Sequence, residues 1–331
     1  MNVALFALGG TISVSGGPGH DGLVPRLTGA DITAAVPGVT ELGVKLDVRD
    51  TQAVPSANLT FAEMLDVVAA ASTAVRNGAI GAVVTQGTDT LEETAFLADL
   101  VWPHEEPLVF TGAMRNPTLA GADGPANVLA AVRVAASDHG RSLGALVVLN
   151  DEIHAARWVR KAHSTSTATF ASPNAGPLGQ VVEGRVRVLA MPRRHEPLPS
   201  PAGRLAERPD AARVALHVVA LDDDGALLRA VADTCDGLVV AGFGVGHVPS
   251  ALAPELGALA EHMPVVLTSR TGSGSVLRNT YGAVGSERDL LRRGLVNGGL
   301  LDPYKARVLL RLLLASGAGR EEISAAFARH G

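Results

Sequence analysis

Short apolar runs, each followed by an amphipathic stretch, constrain the fold of this chain more than any other feature. In the first half of the sequence they cover residues 3–8, 44–48, 80–85, 107–111 and 143–149. Apolar runs of this length are typical of strands buried on both faces of a parallel sheet. The sequence therefore predicts an α/β fold built on a parallel sheet that helices cover.

The stretches between these runs predict helices, and a change of pattern near residue 178 predicts a different element. Residues 60–76 carry apolar side chains at helical spacing, and residues 123–137 begin with Asp-Gly-Pro, a typical helix start. Residues 178–190 alternate and predict a β-hairpin that turns at Glu183-Gly184. We expect this hairpin to close the first domain.

A proline-rich stretch separates two predicted domains. Residues 192–209 hold five prolines, a composition that favours neither a strand nor a helix. We predict a larger N-terminal domain over residues 1–191 with the parallel, helix-covered sheet plus the hairpin, and a linker over residues 192–212. The apolar runs 213–221, 237–242 and 264–269, with Asp302-Pro303 opening a last pair of helices, predict a smaller C-terminal α/β domain over residues 213–331.

Composition excludes several classes of protein. The 331 residues are 47% hydrophobic and carry a net charge of -5, so the chain is suited to burying a core and is a poor partner for nucleic acid. The apolar runs fall short of the about 18 residues that span a bilayer, and the N-terminus does not look like a secretory signal. We expect a cytoplasmic protein without membrane contact. With one cysteine, an internal disulfide is impossible.

Hydroxyl side chains follow two of the predicted strands directly. Thr11 ends a Gly-Gly-Thr sequence after the first strand, and Thr88 stands in Gly87-Thr88-Asp89 after the third. Ligands of parallel sheets bind at the carboxyl ends of the strands, where glycines also allow close backbone approach. An alcohol becomes a nucleophile when a neighbouring base accepts its proton, and a desolvated lysine such as Lys161 beside an aspartate can do so. The pattern favours nucleophilic chemistry.

Each of these segments also has a purely structural interpretation. In this interpretation Thr90 with Glu93 would form a helix capping box and Lys161 would be a solvated surface charge. Ser56 would belong to a helix-leading loop, where Ser and Asn are common for capping. Neither a phosphate-binding Gly-x-x-x-x-Gly-Lys sequence nor Gly-x-Gly-x-x-Gly is found at these turns. The histidines lack metal-ligand spacing, so we expect no metal site.

Two longer motifs identify a family resemblance. Residues 7–12, Ala-Leu-Gly-Gly-Thr-Ile, and residues 83–95, Val-Val-Thr-Gln-Gly-Thr-Asp-Thr-Leu-Glu-Glu-Thr-Ala, resemble the two signature sequences of the bacterial-type L-asparaginase and glutaminase-asparaginase family. The resemblance continues at residues 110–115, 122–127, 147–151 and 301–310, so it covers nearly the whole chain. It implies hydrolysis of L-asparagine to L-aspartate and ammonia, without metal or organic cofactor.

The resemblance assigns roles to individual residues. Thr11 corresponds to the nucleophile, while Thr88, Asp89 and Lys161 correspond to a second triad. Ser56 would receive the substrate α-carboxylate, and Asp89 would also face the α-ammonium. The remaining substrate contacts fall on Gly87, Thr88 and Ala113.

Family members are homotetramers built from intimate dimers, in which a neighbour's second domain completes each site. The loop around Gly246 and His247 is the candidate for that contribution. We expect a homo-oligomer, a dimer or a tetramer.

The loop after Thr11 departs from the family pattern. Residues 13–19 are candidates for a lid, but the tyrosine that usually follows in this loop and bonds the nucleophile is missing, since the two tyrosines are Tyr281 and Tyr304. His20 or Asp21 could replace it, or Tyr281 could arrive from elsewhere in the assembly. Ala57 and His247 stand where better-known members carry amide side chains, so glutamine stays a possible second substrate.

Two rival functions remain beside an asparaginase with a threonine acyl-enzyme. A non-catalytic amino-acid sensor would keep Ser56 and Asp89 without turnover, which the missing loop tyrosine favours. A transamidation subunit acting on charged tRNA would carry an additional N-terminal domain, whereas this chain starts at the first strand, so we do not expect this function.

Overall fold

Two units make up the chain, Met1–Leu198 and Pro199–Gly331. The computed structural model describes residues 1–15, 24–25, 28–51, 54–208 and 211–331. The strands of the first unit are β1 (Asn2–Ala7), β2 (Val14–Ser15), β3 (Val24–Pro25), β4 (Lys45–Asp50), β5 (Gly81–Thr85), β6 (Leu108–Thr111), β7 (Ala145–Leu149), β8 (Glu152–Ala155), β9 (Arg160–Lys161), β10 (Phe170–Ala171), β11 (Gly179–Val182) and β12 (Arg185–Val188). Its α-helices are α1 (Gly29–Ala34), α2 (Phe61–Arg76), α3 (Leu91–Val101) and α4 (Gly124–Ala135).

An eight-stranded sheet in the order β12-β11-β8-β7-β6-β5-β1-β4 forms the centre of this unit within the described ranges. Strands β4, β1, β5, β6 and β7 are parallel, and β8, β11 and β12 continue the sheet in antiparallel pairing. Helix α2 packs against α3 and helix α1 against α4, so each face of the sheet has its own pair of helices. The predicted fold class, an α/β domain with a parallel, helix-covered sheet plus a hairpin, is confirmed.

The strand order reverses at β1. The chain runs from β1 outward to β4 and then returns to β5 on the other side of β1. Such a reversal leaves a crevice at the carboxyl ends of the two central strands, because their connections leave in opposite directions. The loops after β1 and β5, which carry Thr11 and Thr88, border this crevice.

The predicted strand boundaries agree with the structure to within a few residues, but one expectation about burial is wrong. Residues 44–48 were expected to be buried on both faces, whereas the side chains of Lys45–Asp50 are half-buried or exposed. The run is not continuously apolar, since the charged Lys45, Asp47 and Arg49 alternate with Leu46 and Val48, and β4 is the edge strand of the large sheet. The hairpin forms as predicted, with Glu183 and Gly184 both at positive φ, 51° and 72°, as a tight two-residue turn requires.

The second unit is a smaller α/β layer structure. Its parallel sheet has the order β13 (Val214–Val218), β14 (Gly237–Gly242), β15 (Val265–Ser269), β16 (Val296–Asn297). Its helices are α5 (Ala202–Glu207), α6 (Ala226–Thr234), α7 (Leu252–His262), α8 (Glu287–Arg292), α9 (Pro303–Ser316) and α10 (Arg320–His330). Asp302 begins α9 by accepting backbone hydrogen bonds from Tyr304 and Lys305, in line with the sequence prediction.

Helix α5 contradicts the expectation that residues 192–209 form neither strand nor helix. No proline stands inside Ala202–Glu207, and Pro201 occupies the N-cap position, where its ring interrupts no helical hydrogen bond. The prolines of this stretch therefore limit the helix without preventing it. No helix within the described ranges has the length and apolar character to cross a membrane.

Candidate active site

Three loops meet at the crevice, and glycines set how closely they approach. A Cβ atom on Gly10 would lie 2.2 Å from the backbone nitrogen of Gly87, and a Cβ atom on Gly87 would lie 2.6 Å from the Oγ of Ser56. Gly10 also has a φ of 88°, which disfavours other residues. Only glycine at these positions lets the loops after β1, β4 and β5 touch.

Thr11 begins a short 3-10 turn, Thr11–Ser13, directly after the contact between Gly10 and Gly87. Thr11 is half-buried, whereas the next residue, Ile12, is buried against Gly124. Ser13 closes the turn by donating its hydroxyl to the carbonyl oxygen of Gly10 at 2.8 Å. Thr11 therefore directly follows Gly10, the residue that contacts the loop carrying Thr88.

Lys161 joins Thr88 and Asp89 into one polar cluster. Its ammonium donates to the Thr88 hydroxyl at 3.0 Å and to the Asp89 carboxylate at 2.8 Å. The Lys161 side chain is 17% exposed and that of Asp89 is 69% exposed. The interpretation of Lys161 as a solvated surface charge is therefore wrong, while the Asp89 carboxylate keeps access to solvent for a second partner.

Ser56 contacts this cluster through Asp89. It begins the 3-10 turn Ser56–Asn58 and is buried. Its hydroxyl accepts the backbone N–H of Asp89 at 3.2 Å, and its carbonyl accepts the Thr90 hydroxyl at 2.9 Å. The alternative in which Thr90 and Glu93 form a capping box is wrong, since Thr90 makes no side-chain cap hydrogen bond. The Thr90 hydroxyl instead ties the Ser56 loop to the start of α3.

The loop after β6 forms another wall of the site. The Thr88 hydroxyl points to the Met114 sulfur at 3.4 Å, and Ala113 beside it is buried. The Asp123 carboxylate accepts the backbone N–H groups of Met114 and Arg115, at 3.0 Å and 2.8 Å. Asp123, at the start of α4, is a structural contributor whose role the sequence interpretation missed, because its carboxylate bonds a loop nine residues earlier.

His247 belongs to the second unit and has its own cluster there. Its Nε2 lies 3.3 Å from the carboxylate of Glu287, which is fully buried, and its ring meets Tyr281 edge-on with centroids 4.9 Å apart. Burial alone would raise the pKa of the Glu287 carboxyl, but hydrogen bonds from the backbone N–H groups of Tyr281 and Thr280 and from His247 hold that pKa below its usual range. Glu287 was not singled out from the sequence, since an acidic residue opening a helix resembles an ordinary cap.

Part of the predicted site lies outside the described residues. This applies to His20 and Asp21 and to most of the proposed lid over residues 13–19. Within the described ranges, no group of three or more His, Cys, Asp or Glu side chains is arranged to hold a metal ion. The expectation that the chemistry needs neither metal nor organic cofactor stays a prediction.

Comparison with known proteins gives consistent matches along both units. The family model of the asparaginase N-terminal domain matches residues 2–194, and that of the glutaminase/asparaginase C-terminal domain matches residues 213–327. A probable L-asparaginase of Deinococcus radiodurans is 34% identical, with 98% of this chain and 96% of the relative covered. An L-asparaginase of Bacillus licheniformis is 34% identical over 95% of each chain. The crystal structure of a probable cytoplasmic L-asparaginase from Campylobacter jejuni superposes with a TM-score of 0.87 at 28% identity and 99% coverage of both chains.

Proposed function

The chain belongs to the asparaginase family, and we propose that it hydrolyses the side-chain amide of L-asparagine, releasing L-aspartate and ammonia. The observation that carries the proposal is the cluster of Thr88, Asp89 and Lys161 at the crevice beside β1 and β5. A lysine amine held between a hydroxyl and a carboxylate is suited to moving protons during acyl transfer.

The amino-acid head of the substrate needs partners of opposite character. The Asp89 carboxylate, bonded to Lys161 through one oxygen and 69% exposed, is suited to the α-ammonium. The Ser56 hydroxyl accepts the Asp89 N–H and keeps its own proton for the α-carboxylate. Gly87 and Ala113 would line the remaining surface, so amides without this head should be poor substrates.

Thr11 is the proposed nucleophile. Its Oγ1 forms a bond to the amide carbon, the hydroxyl proton leaves, and the carbon–nitrogen bond breaks as the nitrogen takes up a proton and departs as ammonia. Water then attacks the aspartyl ester, and the Thr11 hydroxyl is restored. Thr88 with Lys161 would manage protons in one of these two steps.

The direct test is ammonia release from L-asparagine by purified wild-type protein and by Thr11→Ala. We expect turnover by the wild type, loss of turnover in Thr11→Ala without loss of folding, and partial activity in Thr11→Ser, which keeps a hydroxyl. A folded Thr11→Ala variant with wild-type activity would contradict the assignment of the nucleophile.

A non-catalytic amino-acid sensor is the second candidate, favoured by the location of both tyrosines outside the N-terminal loop, at positions 281 and 304. Calorimetry with L-asparagine separates the two functions. Heat of binding without ammonia would support the sensor, and ammonia release would exclude it.

Three further properties belong to the same proposal. The chain forms a homo-oligomer, a dimer or a tetramer, in which His247 of one copy completes the site of another. Light scattering after size exclusion tests the assembly.

A cytoplasmic location is supported by the name of the Campylobacter relative. L-Glutamine is proposed as a side substrate, because one extra methylene is typically worth only about 1 to 3 kcal/mol of discrimination, which does not exclude it completely.

A further inference from the structure

The strand that carries Lys161 lies outside the large sheet. Strand β9 pairs with β10 in a two-stranded sheet of its own, with Lys161 opposite Phe170. Thr88 and Asp89, in contrast, connect β5 of the large sheet to α3. The hydrogen bonds between strands of the large sheet therefore do not fix the distance between the Lys161 amine and the Thr88 hydroxyl. Another contact must fix it.

Glu92 provides a contact of this kind. It stands in the first turn of α3, is 8% exposed, and its Oε2 accepts the backbone N–H of Lys161 at 2.5 Å. Hydrogen bonds to a carboxylate are stronger than those between neutral groups. One short bond thus joins the main chain of Lys161 to the helix that begins directly after Thr88-Asp89-Thr90.

The far side of the same hairpin is fixed separately. The Ala162 N–H donates to the carbonyl of Thr169 at 2.7 Å, and Ser172, just after β10, bonds His154 of β8 at 3.0 Å. These contacts attach the hairpin to itself and to the sheet, and none of them bonds the Lys161 main chain to α3.

We propose that Glu92 is a positioning residue, which holds the main chain of Lys161 so that its amine reaches Thr88 and Asp89 together. The kinetic consequence rests on the proposed function, whereas the geometric consequence does not. The amine should become more accessible whenever the acceptor at position 92 is lost.

Competitive acetylation measures that accessibility directly, because the chain has three lysines in different environments. Lys45 is exposed, Lys161 is held in the cluster, and Lys305 is 1% exposed. Limited acetic anhydride treatment followed by mass spectrometry gives the reactivity of Lys161 relative to Lys45. In Glu92→Ala we expect this ratio to rise about fivefold, the factor given by one hydrogen bond of ordinary net strength.

Matched variants separate the effect of side-chain length at position 92 from the effect of its charge. Glu92→Asp keeps the charge but is one methylene shorter, so its ratio should rise as in Glu92→Ala, and it carries the test should the alanine variant not fold. Glu92→Gln keeps an acceptor oxygen at the same side-chain length but loses the charge, so its ratio should rise clearly less than in Glu92→Asp. Glu63→Ala is the control, because Glu63 also accepts a backbone N–H in the first turn of a helix, from Thr60 at 2.8 Å, without contacting Lys161.

Steady-state kinetics supply the second readout. We expect kcat for L-asparagine to fall about tenfold in Glu92→Asp, with KM within about twofold and with partial recovery in Glu92→Gln. The proposal is overturned if the acetylation of Lys161 relative to Lys45 is unchanged in Glu92→Asp. It is also overturned if this ratio rises equally in Glu63→Ala. A wild-type protein without ammonia release would instead overturn the proposed function and leave the acetylation result to decide the role of Glu92.

Discussion

The Thr88 hydroxyl is held between a strong donor and a weak acceptor. Lys161 donates to its oxygen at 3.0 Å, while its own hydrogen points to the Met114 sulfur at 3.4 Å. Thioether sulfur accepts hydrogen bonds weakly, so the proton of Thr88 is not committed to a strong partner. This arrangement suits a hydroxyl that passes a proton on.

Replacing Thr88 by Val tests this role at constant side-chain shape. A methyl group in place of the hydroxyl removes the proton carrier, so we expect kcat to fall about 100-fold or more, with a small change in KM. Thr88→Ser keeps the hydroxyl and should retain most of the activity. Wild-type kcat in Thr88→Val would show that the hydroxyl takes no part in turnover.

The site depends on loops that touch without side chains between them. Gly10 and Gly87 are in backbone contact, and Gly87 in turn contacts Ser56. Any Cβ atom at Gly10 has to push the loop after β1 away from the loop after β5. Thr11 would then move away from the cluster formed by Thr88, Asp89 and Lys161.

Gly10→Ala should therefore damage both stability and activity. Gly43→Ala is the matched control, since Gly43 has a φ of 66° but nothing within 4 Å of the added atom. The control should cost the strain of the left-handed conformation alone, about 1 to 2 kcal/mol, whereas the clash at Gly10 should bring the loss above about 4 kcal/mol. Denaturant titration measures the free energy of unfolding of both variants. Equal losses would contradict the close contact between Gly10 and Gly87.

Sequence periodicity predicted most elements because buried strands and capped helices have local signals. The hairpin turn at Glu183-Gly184 and the start of α9 at Asp302 are of this type. Features that depend on neighbours distant in the sequence were not predictable, among them the bond from Thr90 to Ser56 and the partial burial of Lys161. The pairing of Lys161 with Thr88 and Asp89 joins residues more than 70 positions apart, so it followed from the family resemblance and not from any local pattern.

The two units of the chain differ in their spectroscopic probes. Both tryptophans, Trp102 and Trp158, belong to Met1–Leu198. Tryptophan fluorescence therefore follows the unfolding of the first unit alone, which matters because a chain of two units need not unfold in one step.

The pH dependence of that unfolding should reflect His154. Burial lowers the pKa of His154 below its usual value of 6.5, although the Glu152 carboxylate 3.3 Å away favours the charged ring. Below pH 6.5 the unfolded chain takes up a proton that the folded ring takes up only at lower pH. The free energy of unfolding should therefore fall as the pH drops below 6.5, by at most about 1.4 kcal/mol per pH unit from this group.

His154→Gln should flatten this decline in the fluorescence-monitored titration. His139→Gln is the control, since His139 is an exposed histidine of the same unit. If both variants keep the wild-type slope of the free energy of unfolding between pH 6.5 and pH 5, the buried His154 ring does not cause the decline in stability.

The most direct test of the account is to trap the covalent intermediate. Wild-type protein mixed with L-asparagine, quenched rapidly in acid and digested with trypsin should carry one aspartyl group on the peptide that contains Thr11, and Thr11→Ala should carry none. The peptide that contains Thr88 is a different one, because Arg26 and Arg76 lie between the two threonines. An aspartyl group on the Thr88 peptide, or turnover by Thr11→Ala at the wild-type rate, would contradict the account.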